Sequence, residues 1–400
     1  MRHFDIAVAG AGLAGSLSAV ALAKAGYHVA LIAPPTERTD GRTTALMDQS
    51  ITFLKSLGLW ESIEPQAAAL ETMQIIDGTS RLLRAPTVAF RAQEVDLNAF
   101  GYNIPNAAFT TILETDIADN PRIERIPTML RSVALLDSAV ELTLETDEAV
   151  TADLIVGADG RGSRVRECAG IAVKTWTYPQ SALVLNFAHS RPHNNISTEF
   201  HTEYGPFTQV PLPGKRSSLV WVRTPQDAQA ALAMTTDELS ADIETRMQSM
   251  LGSVEIDGDV QSYPLSGMTA NQCGRGRAVL IGEAAHAFPP IGAQGLNLSL
   301  RDLRALLEIV GQRADTRLQP TIGDTFAAKR KVDIMTRTAS VDLLNRSLLS
   351  SFLPVQMVRA AGLQALSTLS PLRNFIMQEG IEPGGALRAL SEKLGFRRRA

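Results

Sequence analysis

An apolar run, Phe4 to Ala9, passes into Gly10-Ala11-Gly12-Leu13-Ala14-Gly15, then into an Ala/Leu-rich helix to about Ala25 and a second apolar run, His28 to Ala33. Strand, glycine turn, helix and strand in that order make a βαβ unit and commit the chain to an α/β core. The glycines have separate tasks: the first permits the tight turn, the second lets a pyrophosphate approach, and the third lets the helix pack on the strand. Placed at a strand-to-helix junction, the triplet reads as a dinucleotide site rather than a packing turn.

One part of that signature is missing. An Asp or Glu should follow at the end of the second strand to take the ribose hydroxyls, and Ala33 stands there before Pro34 and Pro35. Glu37 or Asp40 could substitute from the next loop. The loss otherwise amounts to one charged hydrogen bond, about 1.5–3 kcal/mol. The same region is uncharged from Ile6 to Ala23, with Arg2 and His3 in front, as a signal peptide would be. Asp5, the internal glycines and the continuing strand argue against that reading.

Two further glycine turns follow at a distance. Leu154-Ile155-Val156-Gly157-Ala158-Asp159-Gly160 is an apolar strand ending in an acid and a glycine, where Asp159 is placed to take a ribose or ribityl hydroxyl. The apolar run Ala278 to Ile281 leads into Gly282-Glu283 and a Gly/Pro-punctuated loop. From Gly295 onward, Leu296, Leu300, Leu303, Leu307 and Val310 recur at helical spacing. A loop that delivers a helix start collects free N–H groups and the positive end of the dipole, so an electron-rich group should rest there.

With 400 residues and 45% apolar content, the chain should hold two or three domains. A net charge of −4 argues against nucleic acid as the main partner. Cys168 and Cys273 lie far apart without metal-ligand spacing, which fits a reducing cytoplasm. His189 and His193 stand four apart, but Pro192 breaks the helix that a metal site would need, so no metal is expected. The segment 73–100 reads as an antiparallel insert, Asn106 to Ala118 as a helix, and Trp176 to about Tyr263 as alternating strands covered by one helix near Thr236 to Met250. Beyond Pro320 the pattern is helical and unusually apolar between Leu343 and Val358, and the chain closes on Arg397-Arg398-Arg399. This C-terminal stretch reads as interdomain helices with a solvated tail, or as a surface resting on anionic membrane.

These pieces together resemble the class A FAD-dependent aromatic monooxygenases, the para-hydroxybenzoate hydroxylase-like proteins, and within them the ubiquinone-biosynthesis hydroxylases. The likeness rests on Gly10, Gly12 and Gly15, on Gly157 to Gly160 followed by Ser163, Val165 and Arg166, and on Gly282 to Asp302. The subgroup adds Gly292 to Asn297, Leu57 to Trp60 and Gly205-Pro206. The resemblance implies a Rossmann-like FAD-binding domain (1–72, 101–172 and 266–320), an inserted, mostly antiparallel β substrate domain (73–100 and 173–265) and a C-terminal helical region (321–400).

It further implies that Gly10, Ala11, Gly12, Leu13, Ala14 and Gly15 hold the FAD pyrophosphate, with Arg42 near the flavin. Asp159 and Gly160 would serve the FAD, Gly282 and Glu283 the ribityl-phosphate region, and Gly292, Gln294, Gly295, Leu296 and Asn297 the flavin ring edge. The family usually has Asp at Glu283 and an acid at Ala33. By the same likeness NAD(P)H is a transient co-substrate, and dioxygen reacts through a flavin hydroperoxide to hydroxylate a polyprenylated phenol. Alternatives are a prenyl-chain reductase, a hydroxylase of a soluble aromatic, and a non-catalytic flavin-binding member of a biosynthetic assembly. The expected location is cytoplasmic, with peripheral membrane contact through 340–400 as a further expectation. No phenol-activating base is identified: Tyr178, His201 and Tyr204 read as strand-face packing.

Overall fold

The computed structural model describes residues 1–35, 41–79, 86–289, 294–314, 317–349, 373 and 377. The first strand, Arg2–Ala9, buries Phe4, Ile6, Ala7, Val8 and Ala9 in succession, as a strand covered on both faces must. It pairs in parallel with Val29–Ile32 on one side and Ala149–Gly157 on the other. Ile123–Ile126 extends the sheet beyond Val29–Ile32, and Ala278–Leu280 pairs in parallel with Ala149–Gly157 on the other flank. Leu130–Leu135 and Val140–Leu144 form an antiparallel extension. The helix Leu13–Lys24 is buried from Gly15 to Ala23. A helix apolar on all sides has to be sandwiched, and it packs against the strands as well as against the helices Asn106–Ala118 and Gln294–Val310.

The second sheet sets His286–Ala287, Gln261–Ala270, Val173–His189, Arg216–Arg223, Pro206–Leu212, Ile196–His201, Thr72–Asp77 and Val88–Arg91 side by side. Neighbours are antiparallel except Ile196–His201 with Thr72–Asp77. One face carries Leu183, Leu185, Phe187, Phe207, Leu219 and Trp221, covered by helical Leu239, Ile243 and Met247. Two helices lie there, Pro225–Leu232 and Thr236–Arg246, where one was expected near Thr236 to Met250. Each has its own start: Thr224 caps a helix with Pro at its beginning, and Thr235 forms a capping box with Glu238.

The opposite face looks toward the parallel sheet. Asn186 Nδ2 donates to the Gly41 carbonyl at 2.8 Å, Thr43 Oγ1 to Ser218 Oγ at 3.0 Å, and the Arg42 guanidinium lies 5.7 Å from the Tyr263 ring centre. A small third sheet, Thr43–Met47 with Gly101–Pro105 and Ala68–Ala69, joins the two halves. It was not anticipated, because its strands are short and its pairs are remote in sequence. Leu57 to Trp60 falls where the helix Asp48–Ser56 ends at Gly58, at φ +65°, before the short helix Trp60–Ile63.

Candidate functional site

Strand register brings the three glycine turns to one edge. Ala9 pairs with Gly157, and Gly157 with Leu280, so the chain leaves all three strands at one level into Gly10, Ala158 and Ile281. The strands on either side of Arg2–Ala9 are reached by connections running in opposite directions, and the crevice at the carboxyl ends of such strands is where α/β sheets take nucleotides.

The glycines divide their tasks. Gly10 has φ +97°, and a Cβ there would lie 2.4 Å from the Ala158 carbonyl oxygen. A Cβ on Gly15 would lie 1.9 Å from the Gly10 oxygen, so this glycine allows the helix to pass over the turn. Gly12 is exposed, has φ −70°, and a Cβ there would meet nothing within 4 Å. It is the N-cap of Leu13–Lys24 without a side-chain cap, leaving the helix start open toward that space.

In the second turn, Asp159 Oδ2 accepts from the N–H groups of Arg164 at 2.7 Å and Val165 at 3.2 Å. Its other oxygen, Oδ1, is buried with no partner among the described residues. A carboxylate oxygen shut from water is costly unless a donor meets it, so this atom fits a ligand hydroxyl. Gly160, at φ +78°, also has open space where a Cβ would point.

Arg166 ties this turn to the third one. Its buried guanidinium donates to the carbonyls of Arg161 at 2.7 Å and Ala284 at 2.9 Å. The sequence marks Arg166 only as part of a motif; its role as a brace depends on the remote Ala284. Arg161 in turn reaches Ser266 Oγ at 2.6 Å and Glu283 at 3.6 Å. Glu283 is exposed and turned toward the second turn.

Gly282, at φ +65°, is wedged between Ala14 and Ser299, whose nearest atoms would be 3.1 and 3.3 Å from a Cβ. The first turn of Leu13–Lys24 and the start of Gln294–Val310 therefore flank one glycine. Gly295 has open space where a Cβ would point, and Leu296 packs partly on the core. Asn297 uses its side chain as a clasp: Oδ1 accepts from Met47 N at 2.9 Å and Ser50 Oγ at 2.7 Å, while Nδ2 donates to the Ala45 carbonyl at 2.8 Å. This clasp holds the helix start against the strand that begins just after Arg42. Gly292 lies outside the described residues, as do Glu37 and Asp40; Gln294 opens the helix. Ala33 is buried and offers no group to a ribose.

A charge network anchors the far side of the loop. His286 Nε2 lies 2.6 Å from Asp302 Oδ2, and Asp302 Oδ1 accepts from Arg330 Nε at 2.8 Å, all three side chains being almost fully buried. Asp333 continues it to Arg330 at 2.6 Å and Arg301 at 3.5 Å. Burial, reinforced by Arg337, brings the Arg301 guanidinium down to about 10. Asp302 could have been suspected from the sequence, since it falls on the apolar side of the helix beside Leu303. His189 and His193 are not a metal pair: His189 bonds the Arg191 carbonyl and Ser217 Oγ, and His193 the Leu212 carbonyl.

The donor set suits a dinucleotide with a redox ring: an open helix start, an unpaired buried carboxylate oxygen and a second helix start beside a positive-φ glycine. Residues 3–336 match a family described as an FAD binding domain. The chain is 31% identical to the ubiquinone hydroxylase UbiL of Rhodospirillum rubrum, over 94% of this chain and 89% of that one. It is 28% identical to the 3-demethoxyubiquinol 3-hydroxylase of Escherichia coli, over 92% and 96%. Among solved structures, the p-nitrophenol 4-monooxygenase PnpA of Pseudomonas putida superposes with a TM-score of 0.76 at 18% identity, covering 96% of this chain and 99% of that one.

Proposed function

The chain belongs to the FAD binding domain family, and from that premise we propose that it is an FAD- and NAD(P)H-dependent monooxygenase that hydroxylates a polyprenylated phenol on the route to ubiquinone. The observation that carries the reading is the meeting of three glycine turns at the carboxyl ends of adjoining parallel strands. The ubiquinone-pathway relatives, similar over nearly their whole length, support the choice of substrate.

Gly10 to Gly15 receive the pyrophosphate at the helix start, where backbone N–H groups and the dipole favour an anion. Asp159 takes a hydroxyl of the FAD through Oδ1, with Gly160 leaving the approach open. Gly282 and Glu283 adjoin the ribityl-phosphate region, and Gln294 to Asn297 the ring edge, where a helix start stabilises negative charge without a catalytic side chain. Arg42 lies between the flavin side and the substrate sheet. FAD, reduced by NAD(P)H, supplies the activated oxygen; the protein positions the substrate and excludes water. The wall of Ala182, Val184, Val222 and Leu265 suits a prenyl-bearing ring. The two sheets support a division into dinucleotide (1–72, 101–172, 266–320) and substrate (73–100, 173–265) parts, although Val173–His189 and Gln261–Ala270 pair across those boundaries.

The test is to reconstitute the protein with FAD, supply polyprenylphenols, NAD(P)H and dioxygen, and identify the product by mass spectrometry. A product with one added oxygen atom on the ring is expected. Failure to bind FAD, or NAD(P)H oxidation that reduces the prenyl chain without oxygen uptake, would refute the proposal.

A further inference from the structure

The face of the second sheet turned toward the dinucleotide half carries an apolar patch, Ala182, Val184, Val220 and Val222, bordered by polar side chains that include Asn186, Ser218, Thr208 and the pair Glu199 and His201. Pairing across the sheet sets Val184, Val220, Thr208 and Glu199 in one row. In the next row Tyr263 pairs with Ala182, Ala182 with Val222, and Pro206 with His201. Directly opposed residues point to the same face. His201 and Glu199 therefore share the side on which Asn186 reaches Gly41 and Tyr263 lies under Arg42.

On that face His201 Nε2 lies 2.8 Å from Glu199 Oε1, the two side chains being 12% and 28% exposed. Thr208 Oγ1 donates to the other Glu199 oxygen at 3.3 Å. A carboxylate that accepts at Nε2 fixes the proton there and leaves Nδ1 as the basic nitrogen. Nδ1 has no partner among the described residues and is not sealed from solvent. Tyr263, on the same face, is already committed, because its hydroxyl donates to Gln261 at 2.6 Å.

The other titratable groups near His201 are few. Asp77 stands opposite it on the parallel strand, with Oδ1 engaged by Thr79 N at 3.0 Å and Thr79 Oγ1 at 2.6 Å. Glu203 and Tyr204 follow in the turn, and the strand Pro206–Leu212 carries no charge.

We propose that His201 is the proton acceptor for the substrate's phenol hydroxyl and that Glu199 is its positioning residue, a role that rests on the hydroxylase function above. The phenol O–H bond breaks, an N–H bond forms at Nδ1, and the electron pair stays on the phenol oxygen, enriching the ring for attack on electrophilic oxygen. The resulting imidazolium is paired with Glu199, and the proton returns to the oxygen of the hydroxylated product. This revises the strand-face packing reading of His201: its strand-mate Glu199 turns a wall residue into an oriented base.

The test compares wild type, His201→Gln and Glu199→Gln as FAD-loaded proteins acting on ortho-geranylphenol, from near-neutral to alkaline pH. His201→Gln should slow product formation about 10²–10⁴-fold near neutrality, with flavin content and flavin reduction by NAD(P)H unchanged. The deficit should shrink as the pH approaches that of a free phenol's ionisation, about 10. Glu199→Gln should show a smaller deficit of the same shape, and it decides the matter should His201→Gln lose its flavin. Wild-type rates in both variants, or a deficit equal at every pH, would overturn the assignment while leaving the hydroxylase reading intact. If the wild-type protein itself forms no hydroxylated product, both fall together.

Discussion

At the scale of single residues, the glycines of the first turn separate cofactor from fold. Gly12 has ordinary φ and open space beyond its Cα, so Gly12→Val should fold normally but place a side chain in the space proposed for the pyrophosphate. Gly15→Ala sets a methyl against the Gly10 oxygen and should destabilise the protein itself, by about 1–3 kcal/mol as overpacked sites do. Urea melts of the FAD-free proteins beside FAD titrations distinguish them; tight FAD binding by Gly12→Val would refute the assignment. His189 gives a pH prediction. Burial, chiefly, lowers its pKa, so the folded protein resists a proton that the unfolded chain accepts. Stability should therefore decline as pH falls from about 6.5 toward the lowered folded value and level off below it. In His189→Gln the decline should be shallower, and parallel curves for the two proteins would contradict this. Cys273, pushed up to about 12 by burial, has no thiolate to offer near neutrality.

At the scale of elements, loops are held in place by side chains that cross between them. Arg166 connects the second turn to the third, and its removal strands the carbonyls of Arg161 and Ala284. The Ala284 carbonyl, buried and left unpaired, costs roughly 1–3 kcal/mol. Arg166→Ala should lower thermal stability and weaken FAD binding together, as read by thermal melts and flavin fluorescence. Arg166→Lys should rescue little, because an ammonium lacks the guanidinium's spread of donors. Unchanged FAD affinity in both variants would show that the brace is irrelevant to the cofactor. Asn297 and the His286–Asp302–Arg330 chain do similar work for the helix Gln294–Val310, one fastening its start to Thr43–Met47 and the other its body to the long helix Ile322–Leu349.

For the whole molecule, Val173–His189 and Gln261–Ala270 are paired neighbours in the second sheet. The first enters it after Arg164–Cys168 and the second leaves it toward Ala278–Leu280 of the parallel sheet, so two chain passages join the halves. Among the described residues no helix is long and apolar enough to cross a membrane. The apolar stretch 343–358 and the arginines at 397–399 lie mostly or wholly outside the described residues, and their composition motivates a peripheral contact. Flotation with anionic liposomes should drop when residues 340–400 are removed, and equal flotation of both forms would count against that contact. A substrate with a prenyl tail would be reached from such a surface.

Short-range order was legible from the residues alone. Glycine spacing, the apolar runs and the helical period from Leu296 to Val310 disclosed the parallel sheet, the glycine turns and the helix start, because those signals are local in sequence. Relations between distant residues were not. The unpaired Asp159 oxygen, the Arg166 brace and the Asn297 clasp depend on which remote groups arrive beside them. The third sheet and the Glu199–His201 pair's place on the inner wall depend on strand register, since a shift of one residue would send both side chains to the other face. Backbone chemistry is written locally and can be read without coordinates; whether a polar atom is satisfied, or which way a strand face looks, exists only once the chain has closed on itself.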